Sequence, residues 1–222
     1  MKKTIYFIPG LGADDTIFKN LKIPGYDIVH IEWVKPHNKE PLPDYAQRLV
    51  EQIKPDTIPI IAGLSFGGMV TIELAKIINP FACIIISSIK TNRERSPEML
   101  LGSILRPNRF IPSLLAIRFE FWYHWAFGEL TAEEKEWVRN MAESIDPDFT
   151  DWAVDTALQW QNEEVPKNLV HIHGTKDNIF PIKYIKDCIV VEGGTHFMVA
   201  NKAEEVSKII VEEIKKKDKV PS

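Results

Sequence analysis

A serine enclosed by glycines is the residue of this chain best placed to do chemistry. Gly63-Leu64-Ser65-Phe66-Gly67-Gly68 follows the apolar run 58–62 and precedes 69–77, which has helical character. In such a strand, sharp turn and helix, a G-x-S-x-G turn lifts a serine hydroxyl above a sheet, with glycines where side chains would collide. A serine hydroxyl is a weak nucleophile at neutral pH and needs a base, and imidazoles as a class titrate in the right range. His196 supplies one, in the stretch Glu192-Gly193-Gly194-Thr195-His196 after the apolar run 188–191. The imidazole needs a carboxylate to fix its tautomer and to tolerate its cation. Asp177 fits, in His173-Gly174-Thr175-Lys176-Asp177 after the run 168–172. Each residue has a plainer reading: an idle serine in a glycine-rich turn, an aspartate that bends a loop, a core or surface histidine. Against these stands their combination, in the order nucleophile, acid, histidine, each at the carboxyl end of a strand, where α/β sheets carry their ligands.

With these motifs the chain resembles the α/β-hydrolase superfamily: G-x-S-x-G at 63–67, H-G-x-x-D at 173–177 and G-G-x-H at 193–196. The resemblance covers 4–90 and 168–200. It implies a nucleophile at Ser65, a base at His196, an orienting acid at Asp177, and an oxyanion hole made by the backbone N–H groups of Leu11 and Phe66. The sequence departs from the family in three ways. Pro9 stands where many members have a histidine, which matters little if the donor is the backbone of a later residue. The chain begins at the strand before the oxyanion loop, so two N-terminal strands of a full member are absent. The segment between Asp177 and the last strand is little more than a turn, which leaves Glu94, in the loop after the fourth strand, as a second candidate acid.

Positioning such a site requires a parallel sheet. Six short, nearly continuous apolar runs, at 4–8, 27–33, 58–62, 82–87, 169–173 and 188–191, read as strands buried on both faces. Helical patterns at 42–54, 69–79 and 202–217 alternate with them, so the expected fold class is α/β, a doubly wound, mostly parallel sheet of about six strands with a helical cap insertion. The core comprises 1–90 and 165–222, and the cap or lid 91–164. Five of the six tryptophans fall in the cap, at Trp122, Trp125, Trp137, Trp152 and Trp160, with Phe110, Phe119, Phe121, Tyr123 and Phe127 among them. Helices are expected there at 111–127, 132–143 and 149–161, the middle one opened by a capping box of Thr131 and Glu134. The aromatics either fix the cap to the sheet or line an apolar acyl pocket.

The chain has 222 residues and a net charge of −4, with no basic surplus to serve a nucleic acid. Gly10-Leu11-Gly12 could open a dinucleotide fingerprint, but Asp15 stands at its third glycine position and no P-loop lysine motif occurs. No run approaches the roughly 20 apolar residues of a membrane span. The two cysteines, Cys83 and Cys188, sit in apolar runs as small hydrophobes, compatible with a reducing, cytoplasmic setting. His171 and His173 lack the spacing and companions of metal ligands, and His124 sits among cap aromatics, where it is structural or reaches a substrate. The lysine-rich end after 217 reads as a solvated terminus. The sequence therefore predicts a serine esterase or thioesterase acting on a small or medium acyl substrate, without cofactor or metal, and specifies no oligomer. An acyltransferase or lyase with the same triad, or a binding module that kept the fold, are the alternatives.

Overall fold

The computed structural model describes residues 2–106, 125–143 and 146–219. Six strands form one sheet: β1 (Lys2–Ile8), β2 (Asp27–His30), β3 (Thr57–Leu64), β4 (Ala82–Ile86), β5 (Leu169–Gly174) and β6 (Ile189–Val191). Their order is β2-β1-β3-β4-β5-β6 and every pairing is parallel. The reversal of winding direction at β1 and β3 leaves the carboxyl ends of the central strands open for a site.

Strand periodicity divides the core in two. Ile5 and Phe7 of β1, Ile60 and Ala62 of β3, and Ile84 and Ile86 of β4 face one cluster, completed by Val206, Ile210 and Ile214 of the last helix, α7 (Ala203–Asp218). Tyr6, Ile8, Ile61, Cys83 and Ile85 face the other, with α1 (Leu42–Leu49) and α2 (Phe66–Ile78) packed over them. Because both faces are covered, the strands carry apolar residues at successive positions, which is why they read as unbroken apolar runs.

The boundaries depart from the sequence expectation where local signals were weak. β2 ends at His30 rather than at 33, because it pairs with β1 only from Asp27 to His30 and Trp33 turns away to stack on Phe149 and Phe66. α1 stops at Leu49 and a 3-10 turn, Val50–Gln52, follows it before Pro55. A short helix, α6 (Met198–Asn201), precedes α7.

Between β4 and β5 lie α3 (Pro97–Leu105), α4 (Ala132–Glu143) and α5 (Pro147–Gln159). Thr131 and Glu134 form the expected capping box on α4, the Glu134 N–H reaching Thr131 Oγ1 at 3.2 Å and the Thr131 N–H reaching Glu134 Oε2 at 2.8 Å. α3 was not expected, although Ser96 caps it through the Met99 N–H at 3.2 Å and Pro97 opens it. Of the helix expected at 111–127, only 125–127 are described, and these are helical. Phe110, Phe119, Phe121, Trp122, Tyr123 and His124 lie outside the described residues.

β5 buries two histidines that no charge partner keeps cationic. His171 Nε2 donates to the Ser88 carbonyl at 3.0 Å, and burial, then His173 and Lys90, pull its pKa from 6.5 down to about 3. Its folded pKa lies below its unfolded one, so the stability it contributes is complete above 6.5 and is lost as pH falls toward 3. The loss is about 1.4 kcal/mol per pH unit well inside that window. His171→Gln, which cannot titrate, is therefore expected to flatten the dependence of unfolding free energy on pH by that amount in urea titrations between pH ~6 and ~4. Equal slopes in the two proteins would refute a neutral His171.

Candidate active site

The turn from β3 into α2 holds Ser65 at φ 54° and ψ −119°, a left-handed conformation that a serine adopts only where its surroundings enforce it. Three hydrogen bonds do so. The Ser65 N–H donates to the Ile86 carbonyl at 2.9 Å, and the Ser65 carbonyl accepts from the Gly68 N–H at 2.9 Å and from Ser88 Oγ at 2.7 Å. The flanking glycines are required sterically: a Cβ on Gly63 would overlap the Gly67 carbonyl and Thr71 Oγ1, and one on Gly67 would overlap the carbonyls of Pro9 and Ile8.

The chain end of β6 brings the histidine to this turn. His196 Nε2 lies 2.9 Å from Ser65 Oγ, and His196 Nδ1 lies 2.8 Å from Asp177 Oδ2. An ionised carboxylate only accepts, so Nδ1 carries the proton and Nε2 is left to accept from the serine hydroxyl. The loop holding Asp177 is tied to the loop holding His196 by the Lys176 N–H, which donates to the Gly194 carbonyl at 2.8 Å. Gly174 and Gly194 touch so closely that a Cβ on Gly174 would overlap the Gly194 backbone.

Asp177 is 3% exposed, and its second oxygen, Oδ1, accepts from the N–H groups of Ile179 and Phe180, each at 2.9 Å. Burial pushes its pKa up, but the charge and hydrogen bond of His196, with His173 and the Phe180 N–H, outweigh that and hold the carboxyl below its ordinary value. His173 is fully buried, donates from Nε2 to the Phe180 carbonyl at 2.8 Å, and stands 3.7 Å from Asp177 Oδ2. It thus pins the same turn whose amides hold Asp177. Glu94, the other candidate acid, is occupied elsewhere: Lys90 Nζ lies 2.6 Å from Oε1, and the backbone N–H groups of Lys90 and Lys186 reach its oxygens at 2.8 and 2.9 Å.

Of the two expected oxyanion donors, Phe66 opens α2, where a backbone N–H has no intrahelical acceptor. The loop bearing Leu11 lies against the turn, and a Cβ on Gly10 would sit 3.3 Å from Ser65 Cβ. Beside this loop is a cavity of about 400 Å³, lined by Pro9, Gly12, His30, Trp33 and Phe149 among others.

The described aromatics between β4 and β5 take two kinds of position. Trp137, Trp152 and Trp160 direct their indole N–H groups to Thr16 Oγ1 at 2.9 Å, the Glu40 carbonyl at 2.9 Å and Glu73 Oε1 at 2.7 Å, all on the sheet side of the chain. Phe127 instead stacks on His196, ring centres 6.4 Å apart, and Phe180 flanks the imidazole at 5.7 Å. Sequence reasoning missed Ser88, His173 and Phe180 as neighbours of the site. His173 lay within a motif already noticed, whereas Ser88 gave no signal beyond its place at the end of β4.

Among the described residues no group of three or more His, Cys, Asp or Glu side chains is placed to hold a metal ion, and no helix is long and apolar enough to cross a membrane. Both cysteines are free. Burial pushes the Cys83 thiol up to about 12 and raises that of Cys188, so neither is an activated nucleophile.

Fold and sequence place the chain in a class of parallel-sheet enzymes that carry a serine on a tight strand-to-helix turn. The sequence pattern of the Alpha/beta hydrolase family matches residues 5–209, and the chain belongs to that family. Among solved structures, MenH from Staphylococcus aureus superposes with a TM-score of 0.74 at 18% identity, covering 97% of this chain and 94% of that one. A thermophilic esterase from Thermogutta terrifontis, with malate bound, gives 0.71 at 18% identity, covering 98% and 90%. A 2-hydroxy-6-oxo-6-phenylhexa-2,4-dienoate hydrolase from a Rhodococcus species gives 0.69 at 17% identity, covering 96% and 91%. No curated protein matches the sequence.

Proposed function

We propose that this chain is a serine hydrolase that cleaves an ester or thioester of a small to medium acyl substrate through an acyl-enzyme. The observation that supports this best is the unbroken line of hydrogen bonds from Ser65 Oγ through His196 to Asp177, at 2.9 and 2.8 Å, on a backbone strained at the serine. In the reaction, Ser65 Oγ attacks the substrate carbonyl carbon as its proton passes to His196 Nε2. The Leu11 and Phe66 N–H groups stabilise the resulting oxyanion, an interaction worth roughly 3 to 4 kcal/mol for one such donor in comparable sites. Asp177 holds the imidazolium and fixes its orientation. The proton on Nε2 then goes to the departing alcohol or thiol. Water, deprotonated by the same nitrogen, attacks the acyl-enzyme, and its proton returns to Ser65 Oγ as the acid leaves.

The segment 91–164 acts in this reading as a cap over the site. Phe127 against His196 supports that role, and Trp137, Trp152 and Trp160 fix the cap to the sheet. Specificity comes from the cap and loops, because the triad sets only the reaction type. The free thiols fit a cytoplasmic setting.

The test is product partitioning with a series of acyl esters and thioesters in the presence of hydroxylamine. Free acid and leaving group are expected in equal amounts without hydroxylamine, and acyl hydroxamate is expected to grow at the acid's expense with it. Acid formed in the same amount with and without hydroxylamine, with hydroxamate absent, would deny the acyl-enzyme. Turnover of no ester or thioester by the folded protein would overturn the hydrolase reading in favour of a binding module.

A further inference from the structure

The stretch of chain that follows β4 carries a buried guanidinium, that of Arg95, two of whose nitrogens have no partner among the described residues. Arg95 is 6% exposed, and its Nε and Nη2 atoms are buried with no hydrogen-bond partner among the described residues. Two further buried charges lie on the same stretch, Lys90 at 7% and Glu94 at 3% exposure, and these pair with one another at 2.6 Å. Arg95 has no such ion pair among the described residues. Burial alone pulls its pKa down, which expresses the cost of keeping the charge out of water. Buried polar groups without partners are rare in native proteins, and one that persists calls for a functional account.

The two nitrogens define what would satisfy them. Nε and Nη2 are the parallel pair of N–H groups that a carboxylate meets with both oxygens. Arg106 of this chain uses that same pair on Asp155, with Nε 2.8 Å from Oδ1 and Nη2 on Oδ2. On Arg95 the pair has no such acceptor among the described residues.

Its surroundings connect it to the candidate active site. Ser88, on the amino side of Arg95, braces the Ser65 carbonyl, and Met99, on the other side, packs into the apolar cluster that contains Phe66 and Phe180. Phe66 follows Ser65 in the chain, and the Phe180 ring lies 5.7 Å from that of His196. Arg95 therefore lies on a stretch that begins at a residue hydrogen-bonded to the candidate nucleophile's backbone.

We propose that Arg95 binds a carboxylate carried on the far end of the acyl group, so that the substrates are esters or thioesters of dicarboxylic acids. This rests on the hydrolase reading above. The guanidinium would hold the distal carboxylate through Nε and Nη2 while Ser65 attacks the carbonyl at the other end, and acyl groups ending in a methyl would leave the charge unpaired.

The test compares monomethyl esters of succinic, glutaric and adipic acids with methyl butyrate, valerate and hexanoate, followed by proton release. At the best chain length the acid-bearing ester is expected to exceed its neutral counterpart in kcat/KM by roughly 10- to 100-fold. Arg95→Met is expected to bring that ratio to about one while the neutral ester is still cleaved, and Arg95→Lys to keep part of it. A ratio near one at every length in the unsubstituted protein, or a ratio that survives in Arg95→Met, would overturn the proposal. Should the unsubstituted protein cleave neither class, the hydrolase reading is decided by the wider ester and thioester series above, and Arg95 is tested by binding: glutarate is expected to raise the unfolding temperature of the unsubstituted protein but not of Arg95→Met, and equal responses refute the site. Should Arg95→Met not fold, glutarate is expected to inhibit methyl valerate hydrolysis where glutaramide does not, and equal inhibition by the two refutes it.

Discussion

Ser65→Ala is expected to lower kcat by roughly 10⁵- to 10⁶-fold and to remove the covalent adduct that a fluorophosphonate forms with the unsubstituted protein. The size follows from how the parts depend on one another. Without Oγ there is nothing for His196 Nε2 to deprotonate, and the acid and oxyanion donors act on no bond-forming step, so residual turnover reflects binding and electrostatics alone. The fold should survive the change. Alanine keeps the Cβ, so the backbone at φ 54° is no more strained than before, and the Ser65 side chain makes no capping hydrogen bond to α2. All three hydrogen bonds that fix the turn use the Ser65 backbone rather than Oγ. Intact mass after labelling and an unfolding curve on both proteins check the two halves together. An adduct retained by the folded variant would place the reactive nucleophile elsewhere and end the Ser65 assignment.

Much of this arrangement was legible in the sequence, for identifiable reasons. The turn at 63–68 could be read because its glycines answer a local demand: Gly63 and Gly67 leave no room for a Cβ, and such constraints sit within a few residues of the serine they serve. The six strands could be read because both faces of the sheet are covered, which makes each strand an unbroken apolar run. The capping box on α4 is likewise local, three residues from end to end. What escaped depends on partners distant in sequence. Ser88 is one serine of many until β4 is laid beside β3, and His173 acts through the carbonyl of Phe180, whose position is set by how the loop folds. Arg95 looks like any surface arginine in a polar stretch, because burial is a property of the folded chain. α3 did carry a readable start in Ser96 and Pro97, but its apolar residues Leu100, Leu101, Ile104 and Leu105 are exposed, so the usual one-sided pattern was missing. That Trp137, Trp152 and Trp160 all bond to the sheet side could not be read either, since an indole that reaches Glu73 and one that lines a pocket have the same spacing.

Asp177→Asn is expected to cost roughly 10⁴-fold in kcat while leaving the site almost unchanged in shape. Asparagine can still accept from the Ile179 and Phe180 N–H groups through Oδ1, so the loop stays closed. Its other end would then present an NH₂ to His196 Nδ1, where the carboxylate presents an acceptor 2.8 Å away. A donor there favours the tautomer with the proton on Nε2. That nitrogen then points an N–H at Ser65 Oγ and cannot take its proton, and no carboxylate remains to balance an imidazolium. The same substitution has an opposite signature in stability. The Asp177 carboxyl is held below its ordinary value in the folded chain, so it contributes stability above the unfolded carboxyl's pKa of 3.8 that is lost as pH falls through the folded value. The variant lacks this contribution, so it should be less stable than the parent at neutral pH, and the gap should narrow in acid. Glu94→Gln provides the contrast, since Glu94 is bound to Lys90 and to the Lys186 backbone and does not touch His196. It is expected to lower stability and to leave most of kcat in the folded fraction. If Asp177→Asn were mild and Glu94→Gln severe in kcat, the acid would come from the loop after β4, and the short turn between Asp177 and β6 would be a structural staple for His196 rather than part of the chemistry.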